Sequence, residues 1–220
     1  MDITRHFENE LLILRADISK LLSLVLESYE MAVKSLEDMN KELAQRVIDL
    51  DDKIDEINRR IEDSVYQIIA RYNPLAKDLR YSITMVKFAN NLERIGDLSC
   101  NIAQKTLNFC SNNLKYSLNK SIRKMIGISL DMIKDTFKAF GEKDINLAVE
   151  TWKKDNLIDE LEISIGNYVL NSIKEDNLKQ ELIIPYILIA RDIERIADHA
   201  TNLCEEIVYI ETGKEIDSYL

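Results

Sequence analysis

Apolar residues recur at alternating steps of three and four along most of this chain, a rhythm that restricts it to amphipathic α-helices. Phe7, Leu11, Leu14, Ile18, Leu21, Val25, Tyr29, Ala32 and Leu36 keep it in a first segment. Leu43, Val47, Leu50, Ile54, Ile57, Ile61, Val65 and Ile68 keep it in a second. Only 5 glycines and 2 prolines punctuate 220 residues, too few for a protein of turns and strands.

Local signals divide the pattern into six helices. Asn40 suits an N-cap between the first two. The second ends near Arg71–Asn73, because Pro74 disfavours helix at the residue before it and suits a new first turn. A third helix is predicted from about Pro74 to Phe109, with the polar patch Ser111–Lys115 as the mid-chain boundary. Leu118, Ile122, Met125, Ile126, Ile133, Phe137 and Phe140 then form a fourth stripe, which Gly141 is placed to stop. A fifth helix is predicted from about Asp144 to Ile173, before a break at Lys174–Asn177. The sixth runs to about Glu211, ended by Thr212-Gly213, and Pro185 predicts a kink or a late start in it.

The two halves repeat one another. Ala89, Glu93, Arg94, Ile95, Asp97 and Asn101 recur without gaps as Ala190, Glu194, Arg195, Ile196, Asp198 and Asn202. A similar register lays Leu14, Ile18 and Leu21 onto Leu118, Ile122 and Met125, and Asp51, Ile54 and Asp55 onto Asp155, Ile158 and Asp159. The predicted fold is all-α: two tandem three-helix bundles related by internal duplication, residues 1–110 and 111–220.

The repeated motif carries acids off its apolar seam. Glu93/Asp97 and Glu194/Asp198 are i,i+4 pairs, each on one helix face, and Asp51/Asp55 and Asp155/Asp159 form matching pairs one helix earlier. Like charges at that spacing cost an isolated helix roughly 0.2–0.5 kcal/mol per pair. A hard cation held by carboxylate oxygens offsets such a cost if the two helices are neighbours, with Asn101 and Asn202 as possible extra oxygen donors. The donor type favours Mg²⁺, Ca²⁺, Mn²⁺ or iron over a thiolate-bound metal. The competing reading is solvated charge on a wet face, with Arg94 and Arg195 as local counterions.

Other classes are excluded or weak. A net charge of −10 without a dense basic run argues against nucleic acid. No apolar run is long enough to span a bilayer, and MDITRHFENE lacks the form of a signal peptide, so a cytoplasmic protein without membrane insertion is expected. Cys100, Cys110 and Cys204 make no CxxC pair and suit free thiols. There is no Gly-rich phosphate loop, and neither of the 2 histidines, His6 and His199, follows a Glu by three residues. His199 reads as a boundary residue because Leu98 holds its place in the first copy. An enzyme is poorly supported.

With these motifs in view, the chain resembles the PhoU family of phosphate-transport regulators. The segments that carry the resemblance are VIDLDDKIDEINRRIE at Val47–Glu62, NPLAKDLR at Asn73–Arg80, NLERIGD at Asn91–Asp97 and ARDIERIADHATN at Ala190–Asn202. The resemblance implies metal clusters of iron, zinc, manganese or magnesium on the pairs Asp51/Asp55, Glu93/Asp97, Asp155/Asp159 and Glu194/Asp198. It also implies an acid before L-E-R, supplied by Asp192 in the second copy and replaced by Asn91 in the first. The C-terminal site is therefore expected to hold metal more firmly. The implied role is negative modulation of phosphate uptake, between the ATPase subunit of a phosphate ABC transporter and a sensor histidine kinase, with a homodimer as the expected assembly. The alternatives are a structural scaffold, an accessory protein of another transporter, and a carboxylate-metal enzyme.

Overall fold

The structure, a computed structural model, describes residues 3–112, 114, 118–174 and 180–220. The first unit consists of α1 (Ile3–Asp38), α2 (Lys41–Tyr72) and α3 (Ala76–Ser111). The second consists of α4 (Lys120–Glu142), α5 (Ile145–Trp152), α6 (Asp155–Lys174) and α7 (Gln180–Thr212), followed by a 3₁₀ turn at Ile216–Tyr219. There is no strand among the described residues. The architecture is the predicted one, two tandem helical bundles, with one prediction corrected: the expected fifth helix is two helices.

Capping fixes several boundaries. The Asn40 side chain accepts the Leu43 N–H at 3.0 Å, Asn119 accepts that of Ile122 at 2.8 Å, and Asp144 that of Leu147 at 3.0 Å. α2 stops at Asn73, whose left-handed φ of 44° precedes Pro74. α3 starts two residues later than predicted, at Ala76, because Leu75 is extended and occupies the cap position. Gly141 does not stop α4. The helix runs on to Glu142 and ends at Lys143, which takes φ 58° and returns its N–H to the Ala139 carbonyl. α7 starts early, at Gln180, with Pro185 inside it. The predicted break at Lys174–Asn177 falls largely outside the described residues.

The division between α5 and α6 lies at Lys153–Lys154. There the chain tightens to shorter-range bonds, Lys154 N–H to Thr151 O and Leu157 N–H to Lys154 O, each 3.0 Å. Side chains flanking the joint are drawn to other helices: Lys154 Nζ to Asp135 Oδ2 at 2.5 Å, and Trp152 Nε1 to Glu205 Oε1 at 3.0 Å. Leu50 holds the place of Lys154 in the uninterrupted α2.

The predicted stripes form the core. Leu14, Ile18, Leu21, Val25, Tyr29, Ala32 and Leu36 are buried, as are Val47, Ile54, Ile57, Ile61, Val65 and Ile68. Phe137 departs from its stripe and is exposed, while Thr136 takes the inner position and bonds to Met132 O and Cys204 Sγ. The units pack together through α3 against α7 and α1 against α4. Tyr29 Oη and Ser129 Oγ share a buried hydrogen bond of 2.8 Å across that second contact. The rings of Phe88 and Phe140 lie 4.9 Å apart nearby. Being covered on both sides, α3 buries even Leu98 and Cys100, which lie off its first seam.

The NPLAKDLR segment also ties the units. Arg80 Nη2 donates to Ile210 O at 3.3 Å, and the guanidinium lies over the Tyr209 ring, 5.8 Å from its centre. Gly213, at φ +74°, makes room for it: a Cβ there would stand 2.6 Å from Arg80 Nη1.

Candidate metal centre

The close approach of α2 and α3 begins with the small residue of the repeated motif. A Cβ added at Gly96 would meet Ile54 Cδ1 at 3.1 Å, Ile54 Cγ2 at 3.2 Å and Asp51 Oδ1 at 3.7 Å. That proximity sets Asp51 and Asp55 of α2 against Glu93 and Asp97 of α3. In the second unit Ala197 holds the place of Gly96 and is fully buried, as is Ile158. There Asp155 and Asp159 of α6 face Glu194 and Asp198 of α7. All four pairs singled out in the sequence are thus brought together, two by two.

The carboxylates raise one another's proton affinity. Asp51 is pushed above its ordinary value by burial, then by Asp97, with Asp55 and Asp52 adding to it. Glu93 is raised by burial, then by Asp97, against a lowering by Arg94. The second cluster is more strongly perturbed: Asp155 is pushed up to about 6 by burial and then by Asp198 and Asp159. Glu194 rises to about 7 through burial, then Asp198, Glu162, Asp159 and Asp155. Asp198 is raised by burial and then by Asp159, while Arg195 and, less strongly, Glu194 oppose the rise.

Both clusters contain an orphan. Asp51 Oδ1 and its counterpart Asp155 Oδ1 are buried and have no hydrogen-bond partner. Two helices presenting several carboxylates, one with an unsatisfied buried oxygen, match what a hard cation requires of its donors. Among the described residues no three His, Cys, Asp or Glu side chains are already arranged to hold an ion. The donor chemistry fits a cation, therefore, and side-chain rotation would have to complete the site. Arg94 is the standing competitor at the first cluster, 3.1 Å from Asp97 Oδ2 and 3.5 Å from Glu93 Oε2.

Three residues absent from the sequence prediction join the clusters. Cys100 lies beside Asp51, and Thr201, its counterpart, beside Asp155, each opposing the rise in that aspartate's proton affinity, while Cys100 Sγ donates to Val47 O at 3.6 Å and Thr201 Oγ1 to Ala197 O at 2.9 Å. Burial and the charges of Asp51, Asp97 and Asp55 hold the Cys100 thiol protonated. Glu162 joins the second cluster by its effect on Glu194. The signal was present: Cys100 and Thr201 follow the second acid of each pair by three residues, on the same helix face.

The domain described as the PhoU domain matches residues 18–106 and again 122–207. A phosphate-specific transport system accessory protein PhoU homolog 1 of Thermotoga maritima is 54% identical over 215 residues, covering 98% of this chain and 93% of that one. The chain belongs to the PhoU family. A PhoU homolog of Clostridium acetobutylicum is 32% identical, covering 96% of both chains. Among solved structures, the phosphate transport system regulatory protein PhoU of Streptococcus pneumoniae superposes with a TM-score of 0.87 at 30% identity, over 96% of this chain and 99% of that one. PhoU of Pseudomonas aeruginosa gives a TM-score of 0.89 at 29% identity, over 94% and 100%.

On this PhoU scaffold the position before L-E-R faces away from the carboxylate clusters. Asp192 turns to α3, where its Oδ2 accepts Lys105 Nζ at 2.6 Å. Asn91, its counterpart, meets α7: its Oδ1 is 2.9 Å from His199 Nδ1 and accepts Asn202 Nδ2 at 3.4 Å. Both residues make their contacts at the seam between units. Asn202 gives its amide to the same seam. Asn101 contributes its backbone carbonyl to Lys105 at 3.3 Å.

Proposed function

We propose that this PhoU-family chain is a regulator of phosphate uptake, a metal-binding helical adaptor without catalytic turnover. Asp51, Asp55, Glu93 and Asp97 hold one site, and Asp155, Asp159, Glu194 and Asp198 the other. The observation that carries the proposal is the pair of carboxylate clusters at duplicated positions, each with a buried, unpartnered aspartate oxygen. Iron, manganese, magnesium or zinc would offset the crowded negative charge that raises the proton affinity of Glu194 and Asp155. Family membership, and relatives named as accessory or regulatory proteins of phosphate transport, support the pathway. In this reading the protein acts in the cytoplasm as a homodimer. It restrains the phosphate ABC transporter through the ATPase subunit and phosphate-starvation signalling through a sensor histidine kinase. Among the described residues no helix is long and apolar enough to cross a membrane.

Crosslinked pull-down from cells grown in high phosphate tests the partners: recovery of the transporter ATPase or the kinase supports the adaptor, and recovery of neither overturns it. A second reading, a purely structural scaffold, is favoured by the Arg94 contacts and the lack of a ready three-donor arrangement. Metal analysis of protein purified without chelator, beside the Glu194→Gln/Asp198→Asn variant, separates the two. Equal, negligible metal in both samples would leave only the scaffold.

A further inference from the structure

The two carboxylate clusters are duplicates, yet the residues at their ends differ in donor chemistry. At the buried end of the first, Asp51 Oδ1 has no hydrogen-bond partner and lies 3.7 Å from the place of a Gly96 Cβ. Cys100, also buried, follows Gly96 by one turn on the same face of α3. Its Sγ donates to Val47 O, one turn before Asp51 on α2, at 3.6 Å. In the second unit Ala197 carries the methyl group that Gly96 lacks, and Thr201 sets a hydroxyl where Cys100 sets a sulfur.

The other ends differ as well. Asn58, one turn after Asp55, donates its amide to Asn90 Oδ1 at 3.2 Å and keeps its own Oδ1 buried and unpartnered. Glu162 holds that place in the second unit, one turn after Asp159, and its charge reaches Glu194. The second cluster therefore gathers Asp155, Asp159, Glu162, Glu194 and Asp198, one carboxylate more than the first. The other two thiols stand apart from both clusters: Cys110 Sγ donates to Met39 O at 3.2 Å, and Cys204 Sγ lies 3.4 Å from Thr136 Oγ1.

We infer that the two clusters select different cations. Cys100 offers the first a sulfur donor beside the carboxylates of Asp51 and Asp97, a set suited to a borderline ion such as Zn²⁺. Thr201 and Glu162 leave the second with oxygen donors alone, the set of a hard ion such as Mn²⁺ or Mg²⁺. The Cys100 proton passes to solvent as the sulfur binds, and the thiolate then supplies the charge that Asn58 omits and Glu162 provides. The sites therefore match in total charge and differ in the softness of one donor. The inference rests on the metal-binding reading proposed above and distinguishes its two sites.

Titration of the chelator-treated full chain with Zn²⁺, with Mn²⁺, and with Co²⁺ as a spectroscopic substitute for Zn²⁺ tests it. The wild type is expected to show thiolate-to-cobalt charge-transfer absorption, which Cys100→Thr abolishes and Cys110→Ser and Cys204→Ala leave in place. Cys100→Thr is expected to weaken Zn²⁺ binding at least about 10-fold while leaving Mn²⁺ binding unchanged. Glu162→Asn is expected to do the reverse. Thr201→Cys is expected to add a second thiolate–cobalt band, a gain that no folding defect produces. Co²⁺ bound by the wild type without sulfur absorption overturns the inference and leaves metal binding standing. Absorption that follows Cys110 or Cys204 also overturns it. A wild type that binds none of the three ions overturns the metal-binding reading as well.

Discussion

Lys105 Nζ stands 2.6 Å from Asp192 Oδ2, joining α3 of the first unit to α7 of the second, with the two side chains only 20% and 12% exposed. Burial pushes Asp192 above its ordinary value and Lys105 only partly opposes the rise. The pair therefore works against a desolvation cost and is sensitive to losing either member. Asp192→Asn is expected to leave metal content unchanged while lowering stability. Lys105→Met, which strands the Asp192 charge, is expected to cost about 2–3 kcal/mol in urea unfolding. Loss of metal in Asp192→Asn would instead return this aspartate to the ligand set.

The second cluster predicts an inverted pH dependence for the metal-free protein. Glu194 binds its proton up to about pH 7 when folded, against an ordinary 4.5, and Asp155 up to about 6 against 3.8. The native state thus holds more protons than the unfolded chain between roughly pH 4 and 7, so these groups lower stability as pH rises through that window. Their contribution is complete below the ordinary values and gone above the folded ones. Chelator-treated protein should show this as a Tm that falls from pH 5 to pH 8, and Glu194→Gln should flatten the fall. Metal competes with those protons, so Mn²⁺ or Mg²⁺ should raise Tm more at pH 8 than at pH 5, by about 2.7 kcal/mol of stability at a hundredfold excess over Kd. An equal rise at both pH values would refute binding at these carboxylates.

The helices and the pairing of acids were legible because both rest on spacing. Steps of three and four name the buried face, and i,i+4 acids on neighbouring helices converge once those faces pack. Directions across the seam between units were not legible. Asp192 and Glu194 are two residues apart, and which acid meets the cluster depends on where α3 lies against α7. The α5/α6 joint was hidden for a similar reason, since Lys154 and Trp152 find their partners on α4 and α7, far away in sequence. Gly141 misled because a glycine ends a helix only where the chain turns left-handed, and here Lys143 does so.

The clasp at the end of α7 gives a stability test remote from both clusters. Arg80 approaches the place of a Gly213 Cβ within 2.6 Å, and φ there is +74°. Gly213→Ala combines backbone strain with displacement of the guanidinium from Ile210 O and Tyr209. A loss of about 1–2 kcal/mol is expected, with metal content unchanged. Arg80→Ala in the same background should add little, because the contact is already broken. Fully additive losses would show that Arg80 and Gly213 act separately.

Gly96 links packing to the first cluster most directly. A methyl group there would press on Ile54 at 3.1–3.2 Å while gaining about 1 kcal/mol of helix propensity, and the second unit accommodates Ala197 at the same place. Gly96→Ala is therefore expected to be neutral within about 0.5 kcal/mol, the small steric shift offsetting the propensity gain. Gly96→Leu has no such space. It must drive α3 from α2 where Asp51 meets Asp97, costing about 2–3 kcal/mol as overpacking. Because the second cluster lies on α6 and α7, metal analysis of Gly96→Leu should show loss from one site with the other retained. Retention of both would mean that the closeness of α2 and α3 does not build the site.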